Sequence, residues 1–455
     1  MTAMRRDLLG NPVSTDSDAT LQGVDDFVGG MLAYETRAVN VLAVADADPS
    51  ACLINAYAAA LHLLIEAPEG AANAEPYLRR AEAAAPSATG RERDVTAFVR
   101  AWAGDDIPEA MRIGEAVLRA HPRDLLTLKL LHYHAFNVGR FAEMLRLAEL
   151  VAPANEDVAW MHGMAAFAYE QCHLLDQAEA AARRALALRR QEPWAQHALA
   201  HIMLTQGRIE EGAAFLEQAR DTWTGLNSFM LTHLWWHLAL FRLSQGREAE
   251  VLEIYDRHCW GVAKDYSQDQ AGAVSLLARI ELSGVEVGGR WDDLGVYLAA
   301  RGPDTTQPFL ALQYLYGLAR AGRSEADALM TAIAERAHTA PDHARETWAE
   351  VALPVAEGLL AHARGDAETA VRRLTPALPR LIDIGGSHAQ RDLFELILLD
   401  AVIRSARLER AQQMLELRRM SDPQGVPMNR ALAAVYAGLG LHRESAAAAA
   451  RAVAR

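Results

Sequence analysis

The chain has 455 residues, 51% hydrophobic and 23% charged, so it can bury a large core and is too long for one ordinary compact domain; it reads as several domains or as a repeat array. A formal net charge of −14, with no cluster of Lys and Arg, disfavours a nucleic-acid or anionic-membrane surface. Cys52, Cys172 and Cys259 lie far apart with no Cys-x-x-Cys pair, which argues against a disulfide framework or a thiolate zinc site and fits a cytoplasmic, reducing location.

The opening stretch MTAMRRDLLGNPVSTDSDAT has two arginines but no apolar segment behind them, so no secretory leader is expected. No run of about 18 apolar residues occurs anywhere, so no membrane span is expected either. Pro and Gly together make up 47 residues and no low-complexity linker interrupts the chain, which predicts order nearly throughout. Alternation of β-branched and aromatic residues never persists, whereas alanine-rich amphipathic stretches dominate, so the expected class is all-α.

Self-similarity gives the architecture. When 131-LHYHAFNVGRFAEMLRLAELVAP-153, 165-AAFAYEQCHLLDQAEAAARRALAL-188 and 199-LAHIMLTQGRIEEGAAFLEQA-219 are aligned, Gly139, His173 and Gly207 fall 34 residues apart. That is the tetratricopeptide spacing. Each unit predicts a first helix ending at the turn and a second beginning a few residues later with a small residue such as Ala178 or Gly212, because paired helices approach closely there. Further units are expected around Gly104, Gly246, Gly322, Gly365 and Ala406, with a last one in residues 429–455. The interval from Gly207 to Gly246 is 39, and the extra residues are assigned to the loop 221-DTWTGLN-227. Irregular connections are expected at 259-CWGVAKDYSQD-269, 283-SGVEVGGRWDD-293 and 301-RGPDTTQP-308. The predicted organisation is an N-terminal tetratricopeptide-like array over residues 1–260 and a C-terminal helical-repeat array over 261–455. Packed as one continuous α-solenoid, these have the length to close around a central pocket.

Two His-x-x-x-His pairs stand on first helices of consecutive units, in 197-HALAHIMLTQGR-208 and 233-HLWWHLALF-241. Residues i and i+4 share a helical face, so His197 with His201 and His233 with His237 can point into one site. Imidazoles at this spacing suit a divalent metal, although HExxH is absent and interior histidines are commonly satisfied by neighbouring carbonyls. The other chemical use is acid–base, with a carboxylate such as Asp269 orienting an imidazole; helix capping explains Asp269 equally well. Asp256 in 253-EIYDRH-258 is a second nearby acid. Trp236 belongs to an aromatic group, with Trp194, Trp223, Trp235, Tyr255, Trp260 and Tyr266, that serves core packing or a small-molecule pocket. In 385-GGSHAQRDLFE-395, Ser387 and Gln390 match a capping box. His388, Arg391 and Asp392 are left over, and an arginine in a first helical turn predicts pairing with an acid or an anionic ligand.

With these stretches in hand, the chain resembles the tetratricopeptide repeat protein 38 family along most of its length. The resemblance is carried by 125-LLTLKLLHYHAF-136, 194-WAQHALAHIMLTQGRIEEG-212, 233-HLWWHLALF-241, 253-EIYDRH-258, 284-GVEVGGRW-291 and 385-GGSHAQRDLF-394. It implies characteristic polar positions at His132, His197, His201, His233, His237, Asp256, His258, Asp269, Gln390, Arg391 and Asp392. Relatives often carry Asn where His388 stands, and the family's Asn-Asp-x-His stretch appears here as 312-LQYL-315. The family implies a repeat fold and no agreed reaction.

Two readings follow. In the first, a repeat protein binds a small ligand or partner peptide, with His132, His197, His233, Trp236, Asp256, His388, Gln390, Arg391 and Asp392 lining a concave pocket. In the second, an enzyme uses His201, His237 and Asp269 for acid–base or metal-assisted hydrolysis, hydration or isomerisation of a small polar metabolite, with His197, His201, His233 and His237 as metal ligands. No cofactor is required by the sequence; a divalent metal is the one the paired histidines would suit. The expected partners are a small molecule or a peptide, with no nucleic acid or membrane and with a homo-oligomer allowed. No nucleophile elbow, dinucleotide fingerprint or P-loop is evident.

Overall fold

In the computed structural model, which describes residues 4–453, the chain is all-α with a tetratricopeptide-like succession of helix pairs. One short antiparallel hairpin, Met4–Arg6 with Pro12–Ser14, precedes the helices. No described helix is long and apolar enough to cross a membrane. Contacts divide the chain into two compact units. The N-terminal unit runs to Ala198 and takes in Thr222–Asn227; the C-terminal unit comprises Leu199–Asp221 and the chain from Ser228 onward. The boundary falls inside the helix Pro193–Thr205.

The repeat is visible in the backbone as left-handed turns. Residues Asp105, Gly139, His173 and Gly207 all have positive φ, at 57°, 68°, 57° and 68°, and they stand 34 residues apart. This conformation closes the first helix of each pair. The first of these positions corrects the expectation at Gly104, which instead caps Gly90–Ala103 with φ −84°. Asp105 tolerates the turn because a short polar side chain lowers the cost of the left-handed region. Positive φ continues at Gly246, Gly322, Gly365, Ala406 and Gly440. Gly284, at φ 84°, is a further turn, between Ser267–Leu282 and Arg290–Ala300. Residues 283–289 are therefore the loop of another helix pair, and residues 290–293 are the first turn of its second helix, rather than an irregular break.

Within the N-terminal unit the pairs Gly90–Ala103 with Ile107–Ala120, Leu125–Asn137 with Phe141–Val151, and Ala159–Gln171 with Leu175–Leu188 follow the 34-residue period. Small residues sit where helices meet. A Cβ on Gly114 would lie 2.7 Å from Leu131 Cδ2, and Ala178 is fully buried. In the C-terminal unit a Cβ on Gly212 would overlap the Phe241 ring. Burying large side chains such as Phe98 and Phe241 contributes roughly 1.5–3 kcal/mol each, which is what makes these close approaches worth their lost side chains.

The N-terminal unit also holds a buried charge cluster. Arg91 Nε donates to Asp124 (2.7 Å) and its Nη2 to Asp7 (3.3 Å) and the Tyr57 hydroxyl (3.2 Å), while Nη1 donates to the Pro12 carbonyl (3.1 Å). All three charged side chains are at most 1% exposed. Asp124 doubles as the N-cap of Leu125–Asn137 by accepting from Thr127 N–H, so one guanidinium ties the hairpin to two helix starts.

Candidate functional site

The helix Ser228–Ser244 is apolar nearly all round, the pattern of a helix covered on every side. Its two histidines, one turn apart, are therefore carried into the interior of the C-terminal unit. His237 is fully buried and His233 nearly so, and His201, from the helix Pro193–Thr205, is fully buried beside them. The His201 and His237 ring centroids are 4.6 Å apart, and those of His233 and His237 are 4.8 Å apart at 87°. Each of the three rings offers a nitrogen within 4.8 Å of the others. His388, at the start of the helix His388–Arg404, extends the group: its Nε2 lies 3.5 Å from His201 Nδ1.

Burial, with the field of His201 added, pushes His233 down to about 3. It is thus a neutral imidazole at physiological pH, the form in which a ring nitrogen carries a lone pair for a metal. In tetrahedral zinc sites the nitrogens sit 2.0–2.1 Å from the ion, hence about 3.3 Å from one another. The three rings offer nitrogens within 4.8 Å of one another, a wider spacing than that. Their chemistry fits a borderline divalent transition ion such as zinc and not a hard oxygen-seeking one.

Around the rings are further polar groups. Trp236 stacks on His233 (5.3 Å, 6°), and the Arg279 guanidinium lies over the same indole, 5.3 Å from the Trp236 ring centroid. Arg279 is buried, and burial lowers it to about 10 against the opposing field of Asp392. Its Nη1 donates to Ser275 Oγ (2.5 Å) and its Nη2 to the Ala389 carbonyl (2.6 Å), which fixes the start of the His388 helix. Asp392 stands 4.0 Å from Arg279 and 2.7 Å from Arg418, and its pKa is lowered because the two arginines outweigh burial. Asp269 is buried with its Oδ1 accepting from Thr232 Oγ1 (3.2 Å), the residue before His233. It meets the histidine helix through a hydroxyl rather than a ring nitrogen. Burial raises its pKa to about 7, opposed by the hydrogen bonds of Thr232 and Ser228.

The remaining expected residues have local roles. Ser387 and Gln390 form the capping box read from the sequence, both halves present. Arg391 donates to the Gly386 carbonyl. Asp256 receives two bonds from Arg290 (2.8 and 2.7 Å) on a half-exposed surface. His258, next to it, stacks on Trp235 at 3.9 Å. The stretch 312-LQYL-315 is buried in Pro308–Arg320. His132 and His197 belong to the N-terminal unit. Burial holds His132 down at about 3, and His197 stacks on Trp194 (4.4 Å, 20°) one helical turn before His201. Sequence reasoning missed Arg279 and Arg418, because nothing in 276-LLARIEL-282 or 415-LELRRM-420 shows which distant side chains these arginines meet.

No protein-family model matches the chain. Among solved structures it is similar to a human IFIT1 dimer with m7Gppp-AAAA (12% identity over 88% of this chain and 89% of that one, TM-score 0.39). It is also similar to Naa15/Naa10 bound to HypK-THB (14%, 87% of this chain and 62% of that one, TM-score 0.26) and to the P58(IPK) TPR domain (10%, 80% and 92%, TM-score 0.23).

Proposed function

We propose that this helical-repeat protein binds a small polar ligand at a three-histidine divalent-metal centre in its C-terminal unit. The observation that carries the reading is the convergence of His201, His233 and His237, three interior imidazoles whose ring nitrogens lie within 4.8 Å of one another. Protonated rings packed this closely would repel, so the arrangement favours neutral donors around a cation. The free thiols Cys52, Cys172 and Cys259 suit a reducing cytosol.

Metal content of protein purified without a metal-affinity tag, measured by mass spectrometry, tests this. The expected result is about one zinc per chain in the parent and less than a tenth of that in His201→Ala/His237→Ala. Metal-free parent protein that also fails to take up added zinc overturns the reading.

A second reading, an enzyme, is favoured by Asp269, a buried carboxyl that holds its proton up to about pH 7 and is bonded to the residue next to His233. A metal-bound water and such a carboxyl together suit hydrolysis or hydration. The fold class alone also accommodates a partner peptide.

A further inference from the structure

The chain contains two lysines against 43 arginines. Arginine cannot lose its proton in a protein, whereas a buried lysine can. A chain that otherwise uses arginine for its positive charge has therefore kept an amine at two places, and these two places differ. Lys264 is ion-paired with Asp293 at 2.7 Å and sits over Trp260 and Tyr297. Lys129, in the N-terminal unit, has its Nζ 3.4 Å from the centroid of the Tyr34 ring and 5.6 Å from that of Trp194. Among the described residues no hydrogen bond or ion pair holds that nitrogen.

The wall behind Lys129 is aromatic. Trp194 packs on Tyr34 (5.1 Å), on Phe167 (4.6 Å) and on His197. One acid belongs to the same place. Glu192 is fully buried; its Oε2 accepts from Ala195 N–H, and its Oε1 has no hydrogen-bond partner among the described residues. A buried carboxyl oxygen without a hydrogen-bond partner costs stability, and this one, two residues before the Trp194 ring that flanks Lys129, is the second observation pointing to a ligand. A Cβ on Gly163 would run into that carboxyl, so the glycine makes room for it.

We propose that Lys129 is a reactive amine that condenses with a small uncharged aldehyde or ketone, with Glu192 as its proton donor. Burial, against the field of Glu192, holds Lys129 well below the ordinary lysine range; burial also holds Glu192 well above the ordinary carboxylate range, opposed by the Ala195 N–H and the fields of Lys129 and Arg189. His132, the other titratable group that feels Lys129, is itself neutral. Burial thus shifts each of the two groups toward its uncharged form. The amine lone pair attacks the carbonyl carbon, the C=O π pair moves to oxygen, and a proton passes from nitrogen to that oxygen to give a carbinolamine. Glu192 then protonates the hydroxyl, which leaves as water while the nitrogen lone pair forms the C=N bond. Amine, carbonyl and acid become protonated imine, water and carboxylate, and the new cation lies against the Tyr34 and Trp194 faces, where a cation is favoured.

The test is reductive trapping. The full chain is treated at pH 7.4 with butanal and sodium cyanoborohydride, and butylation of the two lysines is followed by peptide mass spectrometry. The expected result is modification of Lys129 at least about tenfold faster than Lys264, the internal control. Glu192→Gln slows the Lys129 reaction several-fold with Lys264 unchanged, and Lys129→Arg abolishes the adduct at that peptide. Equal rates, faster labelling of Lys264, or labelling of Lys129 only after denaturation in urea overturns the proposal. Those rates are read on the parent chain alone, so they decide the matter even should either variant fail to fold.

Discussion

The Arg91 cluster and the imidazole cluster are both buried and polar, yet they are built in opposite ways. Around Arg91 the charges are complementary: one guanidinium faces two carboxylates, a phenol and a carbonyl. Around His237 the groups are alike, with two more imidazoles at ring distances of 4.6 and 4.8 Å. The first arrangement is complete in itself and holds a hairpin to helix starts. On the proposed reading, the second would gain stability from a cation placed between its members. The contrast separates a polar cluster that serves the fold from one suited to a ligand.

Substitution separates them most sharply. Arg91→Met leaves Asp7 and Asp124 buried without their cation and is expected to lower stability by about 3–5 kcal/mol, read as a shift of the urea midpoint. His237→Gln, close in size and neutral like the ring it replaces, is expected to cost the metal-free protein less than about 2 kcal/mol. Equal losses at the two sites would erase the distinction.

Asp269 gives a pH-dependent version of the same comparison. Its folded pKa is raised to about 7 from 3.8, so between those values the folded state binds the extra proton and the protein loses stability as pH rises. Asp269→Asn removes the titration. The variant's stability relative to the parent should climb from pH 4 to pH 7 and level off above it, by on the order of 3 kcal/mol. Urea denaturation at pH 4, 5.5, 7 and 8 measures this; a flat difference would show that Asp269 is not held neutral.

The smallest effect tests the repeat itself. Ala406 occupies a left-handed turn at φ 55° and is exposed. Ala406→Gly relieves a strain of about 1–2 kcal/mol and adds a chain-entropy cost of about half that, so a gain of roughly 0.5 kcal/mol is expected. A loss of stability in thermal unfolding would contradict the assignment of residue 406 as a repeat turn.

How much of this the sequence carried depended on how local the cause was. Turn geometry is local, so the 34-residue spacing through Gly139, His173 and Gly207 was legible even where a histidine stands for glycine. Ser387 with Gln390 was legible for the same reason. The shift from Gly104 to Asp105 is a choice between adjacent residues that share one turn, which spacing alone does not resolve. Gly284 was passed over because the glycines at 288 and 289 gave the whole stretch the look of a loop.

Of the site, the His-x-x-x-His pairs were legible because helical period puts each pair on one face. The neighbours of those rings were not, because they come from distant segments. Arg279 reaches Trp236 from a helix more than 30 residues away in sequence, and Arg418 reaches Asp392 across a helix pair. The buried Arg91 cluster escaped notice for the same reason, since Asp7 is 84 residues from its partner. Lys129 had one signal in plain sight, the scarcity of lysine itself.

Whether His201, His233 and His237 form a metal centre is tested most directly by cobalt(II) titration of metal-free protein. One equivalent is expected to bind with the intense visible absorption of a low-coordinate nitrogen-ligated ion, and His237→Gln is expected to lose it. A parent protein that shows no saturable absorption change, or a variant whose spectrum matches the parent's, would contradict the metal centre.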